Sequence, residues 1–567
     1  MKRFAICALL LMNPIPAIPQ SRSHGRSMVI GTSGIVATSQ PLASQAGAQV
    51  LARGGSAVDA AIAANAVLGV TEPMMDGIGG DLFAIYWEAK TGKLTAINAS
   101  GPSPAKLTLA YLKAKGNSRM PDAGIHSVTV PGAVDGWDKM HRKFGRLPWS
   151  ELFDAAIYHA ANGFPVTETI QGHWQDVRSQ QSIRADENGR KVYLPGDAAP
   201  LVGELFKNPG LARAFHLIAK DGARTFYQGE IAKAILATSQ RLGGSLQSSD
   251  LSKFSSEWVT PISTTYRGWT VYEMPPNGQG IAALQMLNVL ENFRTDDHEL
   301  LTAETFHTRI EAMKLAYADL GFIADQRFGK VPVGGLLSKD YAKQRAALLD
   351  PERARCYVDA GDPPTASNTT YLAVIDKEGN IASWIQSIAS LWGSGVVVDG
   401  MGFALQNRGS YFDFDETHPN RLEPGKRPRH SIIPAFMEKG DIHIGFGIMG
   451  GSNQPMAHAQ FVSNFVDYGM NIQAALEAPR FTKVFTGGCD LMVEGRVPAA
   501  VREGLAQKGH DLTVLGDYST GMGRGQVILR DNKAKVNYAA SSPRGDGAAI
   551  PEPVMPVLPS RPKSKRQ

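Results

Sequence analysis

The chain has 567 residues, of which 43% are hydrophobic and 20% are charged. This balance is typical of a globular protein with a large core, and the length allows three or four domains or one large α/β body. The net charge is only +5, and no basic stripe with interleaved aromatic residues is present, so we predict no nucleic-acid partner.

The first residues have the layout of a secretory signal. Lys2 and Arg3 are positive, an unbroken apolar run extends from Phe4 to Met12, and Ala17 is a small residue at a possible cleavage point. The run is too short to span a bilayer, and no later segment has the pattern of a transmembrane helix. We therefore predict a signal peptide over residues 1–17, a periplasmic or secreted location and no membrane span. The alternative is a frayed apolar N-terminus.

The chain contains three cysteines. Cys7 would leave with the signal peptide. Cys356 and Cys489 remain as two buried thiols or as one disulfide, and their spacing leaves both alternatives open. No CxxC motif is present, so the sequence indicates no zinc cluster or dithiol redox site, and we predict no bound metal.

The N-terminal half is predicted to combine helices with hairpins. Residues 41–53 have helical spacing and end at Gly54 and Gly55. Ser56 and Asp59 resemble a capping box that opens a second helix over residues 57–70. Residues 82–88 and 94–99 predict a hairpin, and residues 127–132 a further strand. Apolar faces predict four more helices, over residues 149–161, 231–242, 281–293 and 305–323.

The C-terminal half is richer in predicted strands. Residues 371–376 and 381–387 are apolar and β-branched and predict a hairpin. Further strands are predicted over residues 395–399, 403–406 and 443–448, followed by a helix over 456–467. Residues 551–567 are rich in proline and basic residues and are predicted to be disordered. Helices that flank a run of hairpins fit two packed antiparallel sheets between helical layers.

Thr369 lies where a polar loop meets the hairpin predicted over residues 371–376 and 381–387. If its hydroxyl attacks the carbonyl of Asn368, the peptide bond becomes an ester, and hydrolysis of that ester frees Thr369 as a new chain start. A terminal threonine carries its nucleophilic hydroxyl together with an α-amine, of unperturbed pKa about 7.7–8.0, that can accept the proton. The alternative is that Thr369 and Thr370 serve only as strand formers.

Two long stretches carry a family resemblance. The run SNTTYLAVIDKEGNIASWIQSIASLWGSGVVVDGMGFALQNRG resembles the start of the small subunit of the γ-glutamyltransferase family, and GGSAVDAAIAANAVLGVTEPMMDGIGGDLF is similar to another of its hallmark stretches. The resemblance extends from about Gly34 to about Gly547. It implies a self-cleaving N-terminal-nucleophile hydrolase with an α+β, four-layer αββα sandwich fold. It also implies a large subunit over residues 18–368 and a small subunit over residues 369–550.

The resemblance assigns roles to four residues in particular. Thr369 aligns with the nucleophile, Ser387 with a hydroxyl that assists self-cleavage, and Gly450 and Gly451 with the oxyanion site. Two successive backbone N–H groups before a helix form a nest that can stabilise an oxyanion. By spacing alone, Gly450 and Gly451 would be a turn and Ser387 an ordinary strand serine.

The substrate-reading positions depart from the family pattern. Ser431 retains one of two serines that hold the substrate carboxylate in the family, and His430 replaces the other. Ser100 aligns with the arginine that clamps the glutamyl carboxylate, Tyr411 with the acid that meets the amine, and Arg408 with a glutamine. A serine cannot reproduce the bidentate bonds of an arginine, so the resemblance leaves the acyl specificity open.

Three hypotheses follow. The first is a self-processing threonine amidase that transfers a γ-glutamyl or related acyl group, from a substrate such as glutathione, to water or an amine. The second is an acylase or amidohydrolase of the same family, similar to cephalosporin acylases or oxamate amidohydrolases. The third is an unprocessed, non-catalytic binding protein. The chemistry requires no cofactor, its partner is a small-molecule amide, and the resemblance allows a dimer of heterodimers.

Overall fold

The structure is a computed structural model that describes residues 24–294, 299–358, 369–483 and 487–554. The predicted signal peptide and Asn368 lie outside the described residues.

The strands carry most of the architecture. They are β1 (Val29–Gly31), β2 (Ile35–Thr38), β3 (Asp81–Glu88), β4 (Lys93–Ala99), β5 (Phe164–Pro165), β6 (Leu205–Phe206), β7 (Glu257–Val259), β8 (Ile262–Tyr266), β9 (Trp269–Glu273), β10 (Thr370–Ile375), β11 (Ile381–Ser387), β12 (Ala435–Lys439), β13 (Ile442–Ile448), β14 (Phe481–Thr482), β15 (Asp490–Glu494), β16 (Asp511–Leu515), β17 (Gly525–Asp531), β18 (Val536–Ser541) and β19 (Ala548–Pro551).

The helices fall mainly between and outside these strands. The α-helices are α1 (Pro41–Ala52), α2 (Ala57–Thr71), α3 (Leu109–Ala114), α4 (Ala133–Phe144), α5 (Asp154–Asn162), α6 (Glu168–Trp174), α7 (Val177–Arg184), α8 (Glu187–Tyr193), α9 (Pro209–Asp221), α10 (Arg224–Tyr227), α11 (Glu230–Arg241), α12 (Ser248–Ser252), α13 (Ile281–Leu290), α14 (Ala303–Ala318), α15 (Val333–Leu336), α16 (Lys339–Ala346), α17 (Gln454–Val466), α18 (Ile472–Glu477) and α19 (Ala499–Gln507). The 3₁₀-helices are Ile125–Ser127, Trp149–Phe153, Pro195–Asp197, Asp319–Phe322, Arg408–Tyr411, Gly451–Asn453 and Thr520–Met522.

Two seven-stranded sheets form the centre of the molecule. One has the order β1-β18-β17-β13-β12-β9-β8 and the other the order β19-β2-β10-β11-β3-β4-β7. Neighbouring strands in both sheets are antiparallel. Strands β10 and β11 of the second sheet face β13 and β17 of the first. At this face a Cβ on Gly447 would overlap the ring of Tyr371, so glycine allows the sheets to approach closely.

Helices cover both outer faces of this pair of sheets. Helices α1 and α2 pack on β2, β10 and β11, whereas α13, α17 and α18 pack on strands of the other sheet. The order of layers is therefore helix, sheet, sheet and helix, which confirms the predicted αββα sandwich. Gly47 of α1 lies against Val36 and the Ala60 carbonyl, which explains why small residues dominate this helix pair.

Several predicted elements are confirmed in detail. The Ser56 hydroxyl accepts from the Asp59 N–H at 3.1 Å, and the Asp59 carboxylate accepts from the Ser56 N–H at 2.9 Å, so the capping box is present. Gly54 has φ +90°, the left-handed conformation expected just after a helix. The hairpin after Thr369 has the predicted strands to within one residue at each end.

Other predicted elements are wrong. Residues 127–132 form no strand, because Pro131 lacks an N–H and only single bonds, such as Val130 N–H to the Pro102 carbonyl at 3.0 Å, attach the segment. The strands predicted at 395–399 and 403–406 reduce to one bridge between Val397 and Ala404. Gly400 and Gly402 have φ +70° and +67°, so the chain turns too tightly there for a ladder.

Three helix predictions and one tail prediction also need correction. The helix predicted over 149–161 begins as a 3₁₀-helix and becomes α-helical only at Asp154. The helix predicted to end at 293 ends at Leu290, and the one predicted to end at 323 passes into a 3₁₀-helix at Asp319. Residues 551–554, assigned to a disordered tail, are described: Pro551 ends β19, and the Glu552 N–H donates to the Gly34 carbonyl at 2.8 Å.

Across the described ranges, no helix combines the length and apolar character needed to cross a bilayer.

Candidate active site

Thr369 immediately precedes β10, a central strand of the second sheet. It is 1% exposed in the uncut chain. Thr370 pairs with Gln386 in the antiparallel β10–β11 ladder, so the next position outward places Thr369 opposite Ser387. Directly opposed residues have Cβ atoms about 5 Å apart. The fold therefore brings the predicted nucleophile beside the predicted assisting hydroxyl.

Ser387 receives hydrogen bonds from two donors. Its Oγ accepts from the Ala389 N–H at 2.8 Å and from Arg408 Nη2 at 3.2 Å. Because both bonds occupy its lone pairs, the O–H proton must be donated to a third group. This geometry suits a hydroxyl that passes or supports a proton beside Thr369.

The Gly450–Gly451 turn lies between β13 and α17. Gly450 has φ +140° and Gly451 has φ +62°, conformations that favour glycine. Neither amide N–H donates a hydrogen bond to another described residue. Gln454, the first residue of α17, donates from Nε2 to the Thr369 hydroxyl oxygen at 3.4 Å. The turn and the predicted nucleophile thus share one end of the sandwich.

Gln454 and its neighbour Asn453 were missed by the sequence analysis. The Gln454 Oε1 accepts from the Ile433 N–H at 3.0 Å, which fixes the amide. Asn453 is 5% exposed, and neither polar atom of its side chain has a hydrogen-bond partner among the described residues. The signal that could have found both residues is their position between the predicted oxyanion turn and the helix start.

Arg408 lies beneath Ser387 and is fully buried. Besides its bond to Ser387, its Nη1 donates to the Ser431 hydroxyl at 2.8 Å. Its Nε lies 4.0 Å from the nearer carboxylate oxygen of Asp81, which is too far for a hydrogen bond. The guanidinium also lies 4.9 Å from the centroid of the Tyr411 ring. Two other predicted substrate-reading residues, Ser431 and Tyr411, therefore contact the Arg408 guanidinium.

Asp81, at the start of β3, connects Arg408 to His430. The Ile432 N–H donates to His430 Nδ1 at 3.3 Å, so the ring carries its proton on Nε2, which donates to Asp81 at 3.0 Å. Burial lowers the pKa of His430 well below its usual value, so the ring is neutral. Burial raises the pKa of Asp81 to about 7, although Arg408 opposes the shift.

Ser100, aligned with the family's clamping arginine, is hydrogen-bonded through both its hydroxyl and its backbone carbonyl. Its hydroxyl accepts from Asn277 Nδ2 at 3.2 Å, and its carbonyl accepts from Arg427 Nε at 2.8 Å. The Arg427 guanidinium is itself paired with Glu257 at 2.7 Å. Ser100 is therefore held in a buried network, in which the Arg427 guanidinium is engaged by the Ser100 carbonyl and by Glu257.

A buried carboxyl group, Asp76, lies behind the β10–β11 hairpin. It is 2% exposed and accepts from Asn65 Nδ2 at 2.7 Å, and Asn65 Oδ1 accepts from Trp384 Nε1 at 2.7 Å. Burial raises the pKa of Asp76 to about 8. Asp76 is therefore a neutral carboxylic acid at neutral pH, adjoining the strand that starts at Thr369.

One group of described residues has the donor set of a metal site. The ligand atoms of His307, Glu311 and His510 lie within 4.8 Å of one another. Glu311, however, already accepts from Lys314 Nζ at 2.7 Å. Burial and nearby lysines, Lys314 first among them, lower the pKa of His510 to about 3, so the surroundings repel cations. We assign no metal to this group.

A disulfide joins Cys356 to Cys489, with Cα atoms 4.5 Å apart. Of the two alternatives that the cysteine spacing left open, the structure has the bridge. Backbone bonds on either side reinforce it: the Gly488 N–H donates to the Cys356 carbonyl at 2.7 Å, and the Asp511 N–H donates to the Cys489 carbonyl at 2.9 Å.

Comparison with known proteins agrees with this architecture. The crystal structure of cephalosporin acylase from Bacillus halodurans superposes with a TM-score of 0.87 at 40% identity, covering 96% of this chain and 99% of that one. The glutathione hydrolase-like YwrD proenzyme of Bacillus subtilis is 38% identical, covering 92% and 99% of the two chains. The oxamate amidohydrolase proenzyme of Klebsiella pneumoniae is 32% identical, covering 92% and 98%.

The αββα sandwich, with a threonine entering a central strand, is the fold of an N-terminal-nucleophile hydrolase. The sequence model described as Gamma-glutamyltranspeptidase matches residues 43–552 of the 567. The chain belongs to the γ-glutamyltranspeptidase family of hydrolases and acylases.

Proposed function

We propose that this protein is a self-processing threonine amidase that cuts its own chain between Asn368 and Thr369. Residues 1–368 and 369–567 would form its two subunits, the first without the signal peptide after export. The observation that supports this most directly is the position of Thr369. Its hydroxyl is buried at the start of β10, opposite Ser387 and within reach of the Gln454 amide.

The proposed cut follows from the same geometry. The Thr369 Oγ attacks the carbonyl carbon of Asn368 and the C–N bond breaks, which leaves an ester and a free α-amine. Water then hydrolyses the ester, which divides the backbone into two chains. In the first step the Thr369 hydroxyl proton moves to the departing nitrogen, and Ser387, whose lone pairs are occupied, supports the transfer by donating its own O–H hydrogen bond.

The proposed amidase reaction reuses this hydroxyl. The α-amine of Thr369 accepts the hydroxyl proton as Oγ attacks the substrate carbonyl, and the leaving amine takes a proton as the acyl-enzyme forms. The N–H groups of Gly450 and Gly451, which donate to no other described residue, would stabilise the oxyanion. Water or an amine then removes the acyl group. None of these steps needs a cofactor.

The acyl group has two candidates. A γ-glutamyl group, from a compound such as glutathione, is supported by the relative named glutathione hydrolase-like. A non-glutamyl acyl group, as in an acylase or amidohydrolase, is supported by the similarity to cephalosporin acylase and oxamate amidohydrolase. The site favours the second, because Ser100 is bonded to Asn277 and Arg427 and its position offers no clamp for a glutamyl carboxylate.

The cut is tested by intact mass of the purified protein after reduction with dithiothreitol, and by N-terminal sequencing. We expect two chains, one beginning at Thr369, for the wild type and for Thr369→Ser, and a single chain for Thr369→Ala. A wild type that stays uncut would instead support the non-catalytic binding protein. Hydrolysis of γ-glutamyl-p-nitroanilide, set against glutaryl and oxamyl amides, separates the two acyl candidates.

Two further predictions concern the cellular location and the oligomeric state of the enzyme. Export by residues 1–17 to the periplasm or the medium is supported by the Cys356–Cys489 disulfide, because such bridges persist in oxidising compartments. A dimer of heterodimers stays a prediction, and light scattering of the processed protein measures it.

A further inference from the structure

Gln454 is a buried side chain whose amide contacts the hydroxyl that carries out the proposed chemistry. Its Nε2 donates to Thr369 Oγ at 3.4 Å, and no other side chain among the described residues bonds to that oxygen. Gln454 is fully buried and is the first residue of α17, directly after the turn that holds Gly450 and Gly451. The amide is therefore a fixed neighbour of Oγ and lies away from solvent.

The other end of the amide fixes which of its atoms faces Thr369. The Ile433 N–H donates to Gln454 Oε1 at 3.0 Å. A backbone N–H can donate only to the oxygen of a side-chain amide, because the nitrogen is itself a donor. The nitrogen must then be the atom that faces Thr369, so the contact with Oγ is a donated hydrogen bond.

A second buried glutamine holds the backbone on both sides of Gln454. Gln279 is 1% exposed, and its Nε2 donates to the Ser431 carbonyl at 2.7 Å and to the Gly451 carbonyl at 2.9 Å. The segment that supplies Ile433 and the turn before α17 are thus tied together. A donor held in this way is in place before any charge develops beside it, which is the condition for effective electrostatic stabilisation.

A donor at Oγ is most effective in the step in which this oxygen gains charge. When an ester on Thr369 is hydrolysed, the α-amine takes a proton from water as the water oxygen adds to the carbonyl carbon. The bond between that carbon and Oγ then breaks, its electron pair moves onto Oγ, and the α-ammonium group returns the proton to Oγ. A hydrogen bond that strengthens only as Oγ becomes negative lowers this barrier. Catalytic bonds are often long before the charge develops, as the 3.4 Å contact is.

We propose that Gln454 is a catalytic residue that stabilises Thr369 Oγ as the leaving group in two ester hydrolyses. One completes the cut of the chain, and the other releases the acyl group from the acyl-enzyme. This role rests on the proposed function and divides its work between two sets of donors. The N–H groups of Gly450 and Gly451 serve the carbonyl oxygen, whereas Gln454 serves the ester oxygen. Loss of Gln454 is therefore expected to leave an ester on Thr369.

Two substitutions test the role in the cut. Gln454→Met keeps the length of the side chain and removes the amide, and Gln454→Asn keeps an amide but withdraws it by about 1.5 Å. In a time course on reducing gels, both variants are expected to release the chain that begins at Thr369 about 10- to 100-fold more slowly than wild type, the range for a lost hydrogen bond to a charged group. If Gln454→Met does not fold, Gln454→Asn decides.

Hydroxylamine distinguishes a trapped ester from a damaged site. At neutral pH it cleaves esters much faster than water does, so it is expected to restore the cut in both variants. Intact mass should then show a hydroxamic acid at Asn368. Thr369→Ala, treated in the same way, measures cleavage at other bonds and is expected to stay intact at this one.

Gln460→Met is the matched control. Gln460 lies in the same helix, is 3% exposed, and donates from Nε2 to the carbonyls of Met456 and Phe481, each at 3.1 Å. The substitution removes a buried amide without touching Thr369. We expect it to lower the Tm as Gln454→Met does, but to leave the rate of the cut at the wild-type value.

The second ester is tested on the variant that hydroxylamine has cut, because its small subunit begins at an ordinary Thr369. The probe is γ-glutamyl-p-nitroanilide or glutaryl-p-nitroanilide, whichever the wild type hydrolyses. The variant is expected to release a single equivalent of p-nitroaniline rapidly and further product slowly. After an acid quench, the mass of its small subunit should include the acyl group.

A cut at the wild-type rate in both variants would overturn the role of Gln454. A slow cut that hydroxylamine does not restore would overturn it as well, because the defect would then precede the ester. An uncut wild type would overturn the proposed function, and this role with it. A wild type that is cut, beside variants that trap no ester, would overturn only the assignment of Gln454.

Discussion

The buried acid Asp76 gives the fold a pH dependence that one substitution should remove. Its pKa is raised to about 8 in the folded chain, because burial disfavours the carboxylate. In an unfolded chain an aspartate titrates near pH 3.9. Between these values the folded state holds a proton that the unfolded state has released, so stability falls as pH rises from about 4 to about 8.

The magnitude follows from the size of that window. Each pH unit inside it is worth about 1.4 kcal/mol, so the wild type loses roughly 4 kcal/mol between pH 5 and pH 8. For a chain of this length the entropy of unfolding is on the order of 1 kcal/mol per degree. The expected fall in apparent Tm from this single group is therefore about 4 °C.

Asp76→Asn keeps a neutral side chain at every pH. Its carbonyl can still accept from Asn65, and its amide can donate towards the Gln386 Oε1, which has no partner among the described residues. Scanning calorimetry at a fixed heating rate, in a Thr369→Ala background that stays one chain, measures the difference. We compare the Tm of the variant with that of its Thr369→Ala parent at each pH. The difference, in favour of the variant, is expected to be about 4 °C larger at pH 8 than at pH 5.

Asp221→Asn, at an exposed position, is the matched control and should track the parent at both pH values. A gap between parent and Asp76→Asn that is the same at pH 5 and pH 8 would refute the reasoning, because it would mean that Asp76 is ionised throughout.

Three further predictions concern the site and its frame. Ser387→Ala should slow the appearance of a chain beginning at Thr369 by about 100-fold in a time course on gels, and Ser387→Thr should restore it; an unchanged time course contradicts a role in the cut. Gly451→Ala, at φ +62°, should lower kcat of the cut enzyme by about 100-fold, because the substitution moves the backbone amides of the turn. If the variant kept the wild-type kcat, these amides would not be the oxyanion site. Gly447→Ala should lower the unfolding free energy by about 1–3 kcal/mol, because its methyl group meets the Tyr371 ring. Calorimetry of that variant would contradict the close packing of the sheets if its Tm equalled that of wild type.

The parts of the fold that were predictable are those whose signals are local. The hairpin after Thr369 combines a β-branched run with a turn at Gly379, and the capping box needs only Ser56 and Asp59. The strand predicted over residues 127–132 was wrong, because an alternation of apolar residues does not show whether a neighbouring strand is available for pairing. Pro131 and the docking against single carbonyls decide that segment, and both depend on tertiary contacts.

The candidate site divides in the same way. The roles of Thr369 and the Gly450–Gly451 turn were predicted from a family resemblance in short stretches of sequence, whereas the environment of Arg408 was not predicted. The bond between Asp81 and His430 joins residues 349 positions apart, so no spacing rule could associate them. The pKa of Asp81 arises from burial, and burial is a property of the packed molecule. Specificity therefore had to be argued from the structure.

The Cys356–Cys489 bridge changes what the proposed cut means for the molecule. Cys356 precedes Asn368 and Cys489 follows Thr369, so the bridge spans the junction. A hydrolysed backbone at that point leaves the two subunits covalently tethered, and dissociation then requires a reductant as well as proteolysis. We expect the mature protein to migrate as one species on a non-reducing gel and as two after dithiothreitol. Maturation would thus expose a new amino terminus without ever producing a dissociable heterodimer.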